Sequence, residues 1–198
     1  MSYDLFQPFT EMKQQGLWPV PWTSGMGLVP VIKSLESDSL VGCELGVSFG
    51  INLIYTLDNI DKITKVYAVD PYQTYDDRVA GGEIVSTETI ERVHDCFLVN
   101  SQPYRDKIQL IRKTSDQAHL DIPDDSLDYI FIDGDHNYAQ TLRDIRNYYP
   151  KVKSGGIFAG HDIHLQDVTK ALTEFILEID LDLDKLRLCD HQTWYWVK

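Results

Sequence analysis

Apolar residues along this chain follow two rhythms. Short, nearly continuous runs recur at Leu40–Leu45, Lys65–Val69, Ile108–Ile111, Tyr129–Ile132 and Ile157–Gly160. Runs of this kind, rich in β-branched and aromatic residues, predict strands covered on both faces within a parallel sheet. Between them apolar positions fall three or four apart, which predicts amphipathic helices. The stripes are Leu28, Val31, Ile32 and Leu35 from Gly25 onward; Ile51, Ile54 and Leu57; Ile90, Val93 and Phe97 within Thr87–Ser101, with Thr87 as its cap; Tyr138, Leu142, Ile145 and Tyr149, stopped at Pro150; and Val168, Leu172, Phe175, Ile176 and Ile179. Leu186–Cys189 and Thr193–Val197 are separated only by Asp190-His-Gln, too short for a parallel crossover, so they should form an antiparallel pair. Strand and helix thus alternate through an α/β, doubly wound, mostly parallel sheet closed by two antiparallel strands.

The polar residues that interrupt these runs carry the candidate chemistry. In such a sheet ligands bind outside the carboxyl ends of the strands. The run Tyr129–Ile132 stops at Asp133-Gly-Asp135-His136-Asn-Tyr138, which places Asp133, Asp135 and His136 at that edge. The same residues also suit a plain turn with Asp135 or Asn137 capping the next helix. Leu40–Leu45 runs into Glu44-Leu-Gly46-Val-Ser48-Phe-Gly50, where glycines let the backbone approach a ligand and leave a helix N-terminus open to it. Asp70 ends the next strand, at the separation where an acid meets the hydroxyls of an adenosine ribose. Thr114-Ser115-Asp116 follows the third strand, placed either to meet the adenine or to cap a helix. His161-Asp162-Ile-His164 ends the fifth and forms a second cluster at the same edge.

Two segments stand apart. Leu17-Trp18-Pro-Val-Pro-Trp22 forbids a regular helix and suggests an extended arm over residues 1–24, either core cover or a flap across a ligand. Tyr72–Val85, with its Gly81-Gly82 pair, reads as a loop beside the crevice. Gly155-Gly156 reads as a turn before the fifth strand.

Composition narrows the function classes. A length of 198 residues suits one domain, 25–198 beside the arm, that needs neither disulfides nor structural metal. The net charge of −13 argues against a nucleic-acid partner, and no stretch is apolar for long enough to span a bilayer. Three widely spaced cysteines, Cys43, Cys96 and Cys189, and an N-terminus without a basic patch and apolar core point to a reducing cytoplasm. The Asp180–Asp184 run reads as a solvated connection, and His94 as a helix residue outside the site.

The alternation and its antiparallel close resemble the Rossmann-like, seven-stranded fold of class I S-adenosylmethionine-dependent methyltransferases, over Gly25 to Lys198. Glu44-x-Gly46-x-x-x-Gly50 looks like that family's first motif, Asp70 like its ribose-binding acid, and Lys153-Ser-Gly-Gly156 like its Lys-Pro-Gly-Gly turn. Phe-Ile-Asp133-Gly-Asp-His136-x-Tyr138 with Gly160-His161-Asp162 is more specific. It resembles the subgroup with macrolide-sugar O-methyltransferases and cephalosporin-hydroxylase-like proteins. The resemblance implies S-adenosylmethionine at Glu44, Gly46, Ser48, Gly50, Asp70, Ser115, Asp116 and Asp133. It also implies a divalent metal at Asp133, His161 and Asp162, although His161 stands where some of those relatives have an acid. Mg²⁺ is the metal implied; the neighbouring histidines suit Zn²⁺, Mn²⁺ or Fe²⁺ equally.

Methylating an alcohol requires help in removing its proton, and His136 is the expected general base. The expected reaction is O-methylation of a small hydroxylated molecule, with a homo-oligomer left open. Three other classes remain: a metal-dependent hydroxylase or hydrolase, a non-catalytic S-adenosylmethionine-binding protein, and a nicotinamide oxidoreductase. The glycine spacing and the antiparallel close disfavour the last.

Overall fold

A computed structural model describes residues 4–20, 25–74, 79–80, 83–190 and 192–198; Trp22 and Gly81-Gly82 lie outside them. A single mixed sheet runs through the molecule. Its strands are β1 Leu40–Leu45, β2 Ile63–Val69, β5 Ile108–Ile111, β6 Leu127–Ile132, β7 Val152–Gly160, β8 Arg187–Leu188 and β9 Trp194–Val197, in the order β5-β2-β1-β6-β7-β9-β8. The first five are parallel, and β9 runs antiparallel to both β7 and β8. β3 Val79–Ala80 and β4 Glu83–Ile84 form a separate antiparallel ribbon within the expected loop.

Helices cover both faces. α2 Leu28–Lys33, α3 Ile51–Asn59 and α4 Thr87–Ser101 lie on one side, where Leu28, Ile32, Leu53, Leu57 and Phe97 pack against Val66, Tyr129 and Phe131. α6 Tyr138–Tyr148 and α7 Gln166–Glu178 lie on the other, where Leu142, Ile145, Leu172 and Phe175 meet Cys43, Leu45, Ile130 and Trp194. α5 Ser115–Ala118 is a single turn after β5. Every residue of β6 is buried, the outcome expected of a strand sandwiched between two helical layers. Among the described residues no helix is long and apolar enough to cross a membrane.

Three local expectations change. The N-terminal arm contains a helix, α1 Phe9–Gln14, because the prolines that forbid helix begin only at Pro19. Phe9, Met12 and Val20 are buried against Ile54, while Lys13 and the Trp18 indole both bond Asp58. Ser86 rather than Thr87 caps α4, its hydroxyl accepting from the Thr89 N–H at 3.1 Å. Gly155-Gly156 is not a turn before β7 but an irregularity inside it. The Gly155 N–H, at φ +80°, donates to the Lys198 carbonyl, and the Lys198 N–H donates to the Gly156 carbonyl, so this pair of glycines bonds Lys198 rather than β6.

The order β2-β1-β6 makes the β1/β6 boundary the point where the chain's winding reverses, and such a boundary opens a crevice at the strand ends. Gly46 sits there at φ +78°, and a Cβ on it would lie 2.0 Å from the Asp133 carbonyl oxygen. Only glycine lets the end of β1 lie this close to the end of β6.

Candidate functional site

The crevice has two compartments separated by the Gly46 backbone. The larger, about 180 Å³, runs across the ends of β1, β2, β5 and β6, lined by Gly46, Asp70, Ser115, Asp116, Asp135 and Asp144 among others. The smaller, about 130 Å³, lies between the glycine turn and α3 and is lined by Glu44, Gly46, Ser48, Asn52 and Asp133. Gly50 does not line either compartment. It caps α3 in the left-handed region, with Phe97 packed where its side chain would be.

Asp70 closes the glycine turn from the side. One carboxylate oxygen accepts from the Ser48 N–H at 3.0 Å, and the other from the Tyr72 N–H at 2.9 Å. The Tyr72 hydroxyl in turn donates to the Ser48 carbonyl at 2.7 Å. Ser48 and Tyr72 both have positive φ, +47° and +45°, so this pair of turns holds backbone that other sequences avoid. Such strain persists where the surroundings over-determine it, and here it shapes the crevice rim.

In the smaller compartment Glu44 is buried, its carboxylate accepting from Asn52 Nδ2 at 2.9 Å. Burial pushes the Glu44 carboxyl up to about 8, with the Asn52 bond opposing and the Asp133 charge adding to the rise. Asn52 Oδ1 is buried and has no hydrogen-bond partner among the described residues. An orphaned acceptor and two acids around one small cavity make a receptor for a cationic group, such as the α-ammonium of an amino acid.

On the β6/β7 side of Gly46 stands the second cluster. Ligand atoms of Asp133, His136 and Asp162 all lie within 4.8 Å of one another. His136 Nε2 is 2.7 Å from Asp162 Oδ2 and 3.8 Å from Asp133 Oδ1. His161 Nδ1 is 3.1 Å from Asp162 and 3.7 Å from Asp133. His164 is farther out, 3.7 Å from Asp162 and half exposed. Asp162 has φ +56°, a further left-handed residue at the crevice. Hydrogen bonds donated to Asp133 and then Asp162 push His136 up to about 10, against the opposing effect of burial. Burial raises the Asp162 carboxyl, but the bonds from His136 and His161 outweigh it and hold the group well below the usual carboxylate range. His161 is raised overall, burial lowering it and Asp162 and Asp133 raising it more.

The structure therefore brings the sequence-expected residues to one edge but divides them. Glu44, Gly46, Ser48, Asp70, Ser115, Asp116 and Asp133 line the two compartments; Asp133, His136, His161 and Asp162 form the charged cluster. His136 sits inside the carboxylate pair, closer to Asp162 than His161 is. The turn reading also holds for its neighbours: Asn137 caps α6, accepting from the Gln140 N–H, and Asp135 accepts from Asn137. Asn52, Gln140 and Asp144 were not legible as site residues. Asp144 did carry a signal, since it falls on the buried stripe of α6 with Thr141, Ile145 and Tyr148.

The residues fit the groups a methyltransferase would hold. Two carboxylates within reach of one point, with imidazoles beside them, suit a divalent cation. The Gly46 cradle, the orphaned Asn52 oxygen and the Asp70 carboxylate suit an adenosine joined to an amino acid.

A family model described as a methyltransferase domain matches residues 43–163. An uncharacterized protein of Sinorhizobium fredii is 30% identical over 127 residues, which is 63% of this chain and 13% of that protein. An uncharacterized protein of Acanthamoeba polyphaga mimivirus is 29% identical over 133 residues, 65% of this chain and 54% of that protein. The chain thus spans at most about half the length of these curated relatives. Among solved structures, the O-methyltransferase NovP superposes with a TM-score of 0.63 at 20% identity, covering 95% of this chain and 87% of NovP. An rRNA methylase from Streptococcus thermophilus gives 0.56 at 14% identity, over 86% and 93% of the two chains. These likenesses show the shared fold. With the family match spanning the glycine turn, Asp70 and the Asp133–Asp162 cluster, the chain belongs to the methyltransferase-domain family, the class I S-adenosylmethionine-dependent methyltransferases.

Proposed function

We propose that the chain transfers a methyl group from S-adenosylmethionine to a hydroxyl of a small molecule, with a divalent cation at Asp133 and Asp162 and His136 as the general base. The observation that carries this reading is the contact at Gly46. It sets the cofactor compartments and the acid–histidine cluster back to back across one residue, so a methyl donor and a polarised acceptor oxygen can meet. When bound, S-adenosylmethionine supplies an electrophilic methyl carbon, and the cation supplies the charge that lowers the pKa of an alcohol.

The chain's own residues do the rest. Asp70 accepts from the ribose hydroxyls while keeping the glycine turn in shape. Glu44, Asn52 and Asp133 receive the amino-acid ammonium. Asp133 and Asp162 orient the acceptor oxygen, and His161 steadies Asp162 from behind. His136 Nε2, the nitrogen facing both carboxylates, takes the hydroxyl proton as the new C–O bond forms. The Asp133 and Asp162 carboxylates push the His136 pKa up to about 10, and a cation shared by those carboxylates would bring it back toward the range of a base.

Asp70, Asp116, Asp133, Asp135 and Asp162 together make the crevice rim acidic, which supports a small uncharged or cationic acceptor and disfavours a nucleic acid. The bonds of Lys13 and Trp18 to Asp58, with the Phe9 N–H donating to Asn100 at 2.8 Å, support the N-terminal arm as fixed cover. Screening hydroxylated small molecules with isotopically labelled S-adenosylmethionine, with and without added Mg²⁺, tests the reading. Transfer that requires both an alcohol and the cation supports it. Transfer to nitrogen or carbon acceptors without added metal overturns it.

A further inference from the structure

Asp70 and Tyr72 clamp the glycine turn from one side, holding the N–H and the carbonyl of Ser48. A second clamp, from α4, plays no part in the proposed mechanism. Asn100, near the end of that helix, is 3% exposed, and its Nδ2 donates to the Phe49 carbonyl at 3.2 Å. This carbonyl precedes the α3 ladder, which begins with the Ile54 N–H donating to the Gly50 carbonyl at 2.9 Å. The Oδ1 of the same amide accepts from the Phe9 N–H at 2.8 Å. Phe9 opens α1 and follows Pro8, whose side chain cannot accept a hydrogen bond, so the N–H takes its partner from elsewhere in the fold. Only an oxygen can accept from the one and only a nitrogen can donate to the other, so the two neighbours together fix which way the amide points.

Side chains reinforce the link. Phe49 and Ile51 line the smaller compartment, and with Ile54 they pack against Phe9, Met12 and Val20 of the arm. The Phe6 ring meets the Phe49 ring edge-on at 5.5 Å, while Arg92 of α4 lies over Phe6 at 3.9 Å. Ser48, just before Phe49, has φ +47°, and a residue in that region keeps its conformation only where the surroundings over-determine it. Asn100 supplies one such restraint, and its own orientation depends on the docked arm.

We propose that Asn100 is a positioning residue which makes docking of the N-terminal arm part of cofactor binding, one amide being shared between α1 and the glycine turn. The inference rests on the reading that this turn holds S-adenosylmethionine. Asn100 lines neither compartment and acts through the Phe49 backbone. With the arm docked the turn is already in its binding shape, so the cofactor does not have to order it on entry. Coupling between two sites is reciprocal, so a ligand on the turn must in return hold the arm.

The test pairs calorimetric binding of S-adenosylhomocysteine with peptide-resolved hydrogen exchange, on the wild type and on Asn100→Asp at alkaline pH. The carboxylate of Asn100→Asp still accepts from the Phe9 N–H but has no donor for the Phe49 carbonyl, so it keeps the arm's bond and cuts the turn's. In the wild type, saturating ligand should slow exchange of the Phe9–Gln14 amides at least about fivefold. Asn100→Asp should bind the ligand at least about fivefold more weakly. At saturation it should lose the slowing in α1 while keeping that in α3. Wild-type affinity in a folded Asn100→Asp protein overturns the inference, since a residue that only stabilises the fold would lower Tm and leave binding alone. Weaker binding with the α1 slowing retained also overturns it, because Asn100 would then act on the turn without the arm. If Asn100→Asp does not fold, the wild type still decides: α1 exchange unaffected by saturating ligand overturns the coupling. Failure of the wild type to bind S-adenosylhomocysteine at all defeats instead the cofactor reading on which the inference rests.

Discussion

Replacing Asp70 by alanine isolates the cofactor's grip on this fold. In the structure its two carboxylate oxygens each accept one backbone N–H, from Ser48 and Tyr72, at 3.0 and 2.9 Å. A carboxylate offers about four acceptor sites, so lone pairs remain on the side that lines the cleft. Losing a charge-assisted bond to the ribose costs on the order of 1.5–3 kcal/mol, which weakens binding roughly tenfold to a hundredfold. A second loss comes from the turn. Without Asp70 the left-handed Ser48 and Tyr72 lose the acceptor that holds them, and the glycine turn must be re-ordered when the ligand enters. Asp70→Asn keeps one acceptor oxygen and should lose about tenfold or less. Calorimetry with S-adenosylhomocysteine reads the affinity, and circular dichroism confirms the fold. A folded Asp70→Ala protein with wild-type affinity would remove Asp70 from the ribose site.

Four further outcomes are expected. Gly46→Ala puts a Cβ 2.0 Å from the Asp133 carbonyl in a left-handed backbone, so it should cost at least about 2 kcal/mol in denaturant unfolding and abolish cofactor binding; wild-type values for both would refute the close-approach argument. Chelation with EDTA should stop turnover while leaving S-adenosylhomocysteine binding largely intact, because Asp133 and Asp162 are preformed on strand ends; full activity in the stripped protein defeats the metal. His136→Ala should lose roughly 10²–10⁴ in kcat and keep cofactor affinity, whereas near wild-type turnover would pass the base role to another group. Glu44 has its pKa raised to about 8 in the fold, so it supports stability fully below its unfolded value near 4.5 and loses that support as pH rises through about 8. Glu44→Gln, whose amide can also donate to Asn52 Oδ1, should therefore raise the Tm of the ligand-free protein more at pH 9 than at pH 5, by the equivalent of roughly 2–4 kcal/mol; a difference independent of pH would show that Glu44 is not desolvated.

The architecture was legible because it rests on period and punctuation. β1, β5 and α4 begin and end where the apolar runs do, and the short Asp190–Gln192 connection fixed the antiparallel close. Where the reading slipped, a three-dimensional partner decided. Gly155-Gly156 looks like a turn, yet the Gly155 N–H and the Gly156 carbonyl both bond Lys198, which no local window contains. Ser86 outcompetes Thr87 as a cap because its extended backbone, at φ −70° and ψ 152°, places its oxygen over the first turn. Motif acids could be placed at the sheet edge from strand ends alone. How they divide between the two compartments depended on the Gly46–Asp133 contact, and Asn52, Gln140 and Asp144 reach the crevice from helix positions that no motif marks.

The measurement that bears most directly on the function is a crystal structure with S-adenosylhomocysteine soaked in. The ligand should lie across Glu44–Gly50 with its ribose hydroxyls on Asp70, its ammonium between Glu44, Asn52 and Asp133, and its sulfur toward the Asp133–His136–Asp162 cluster. An empty crevice at saturating ligand, or a sulfur directed away from that cluster, would contradict methyl transfer at this site.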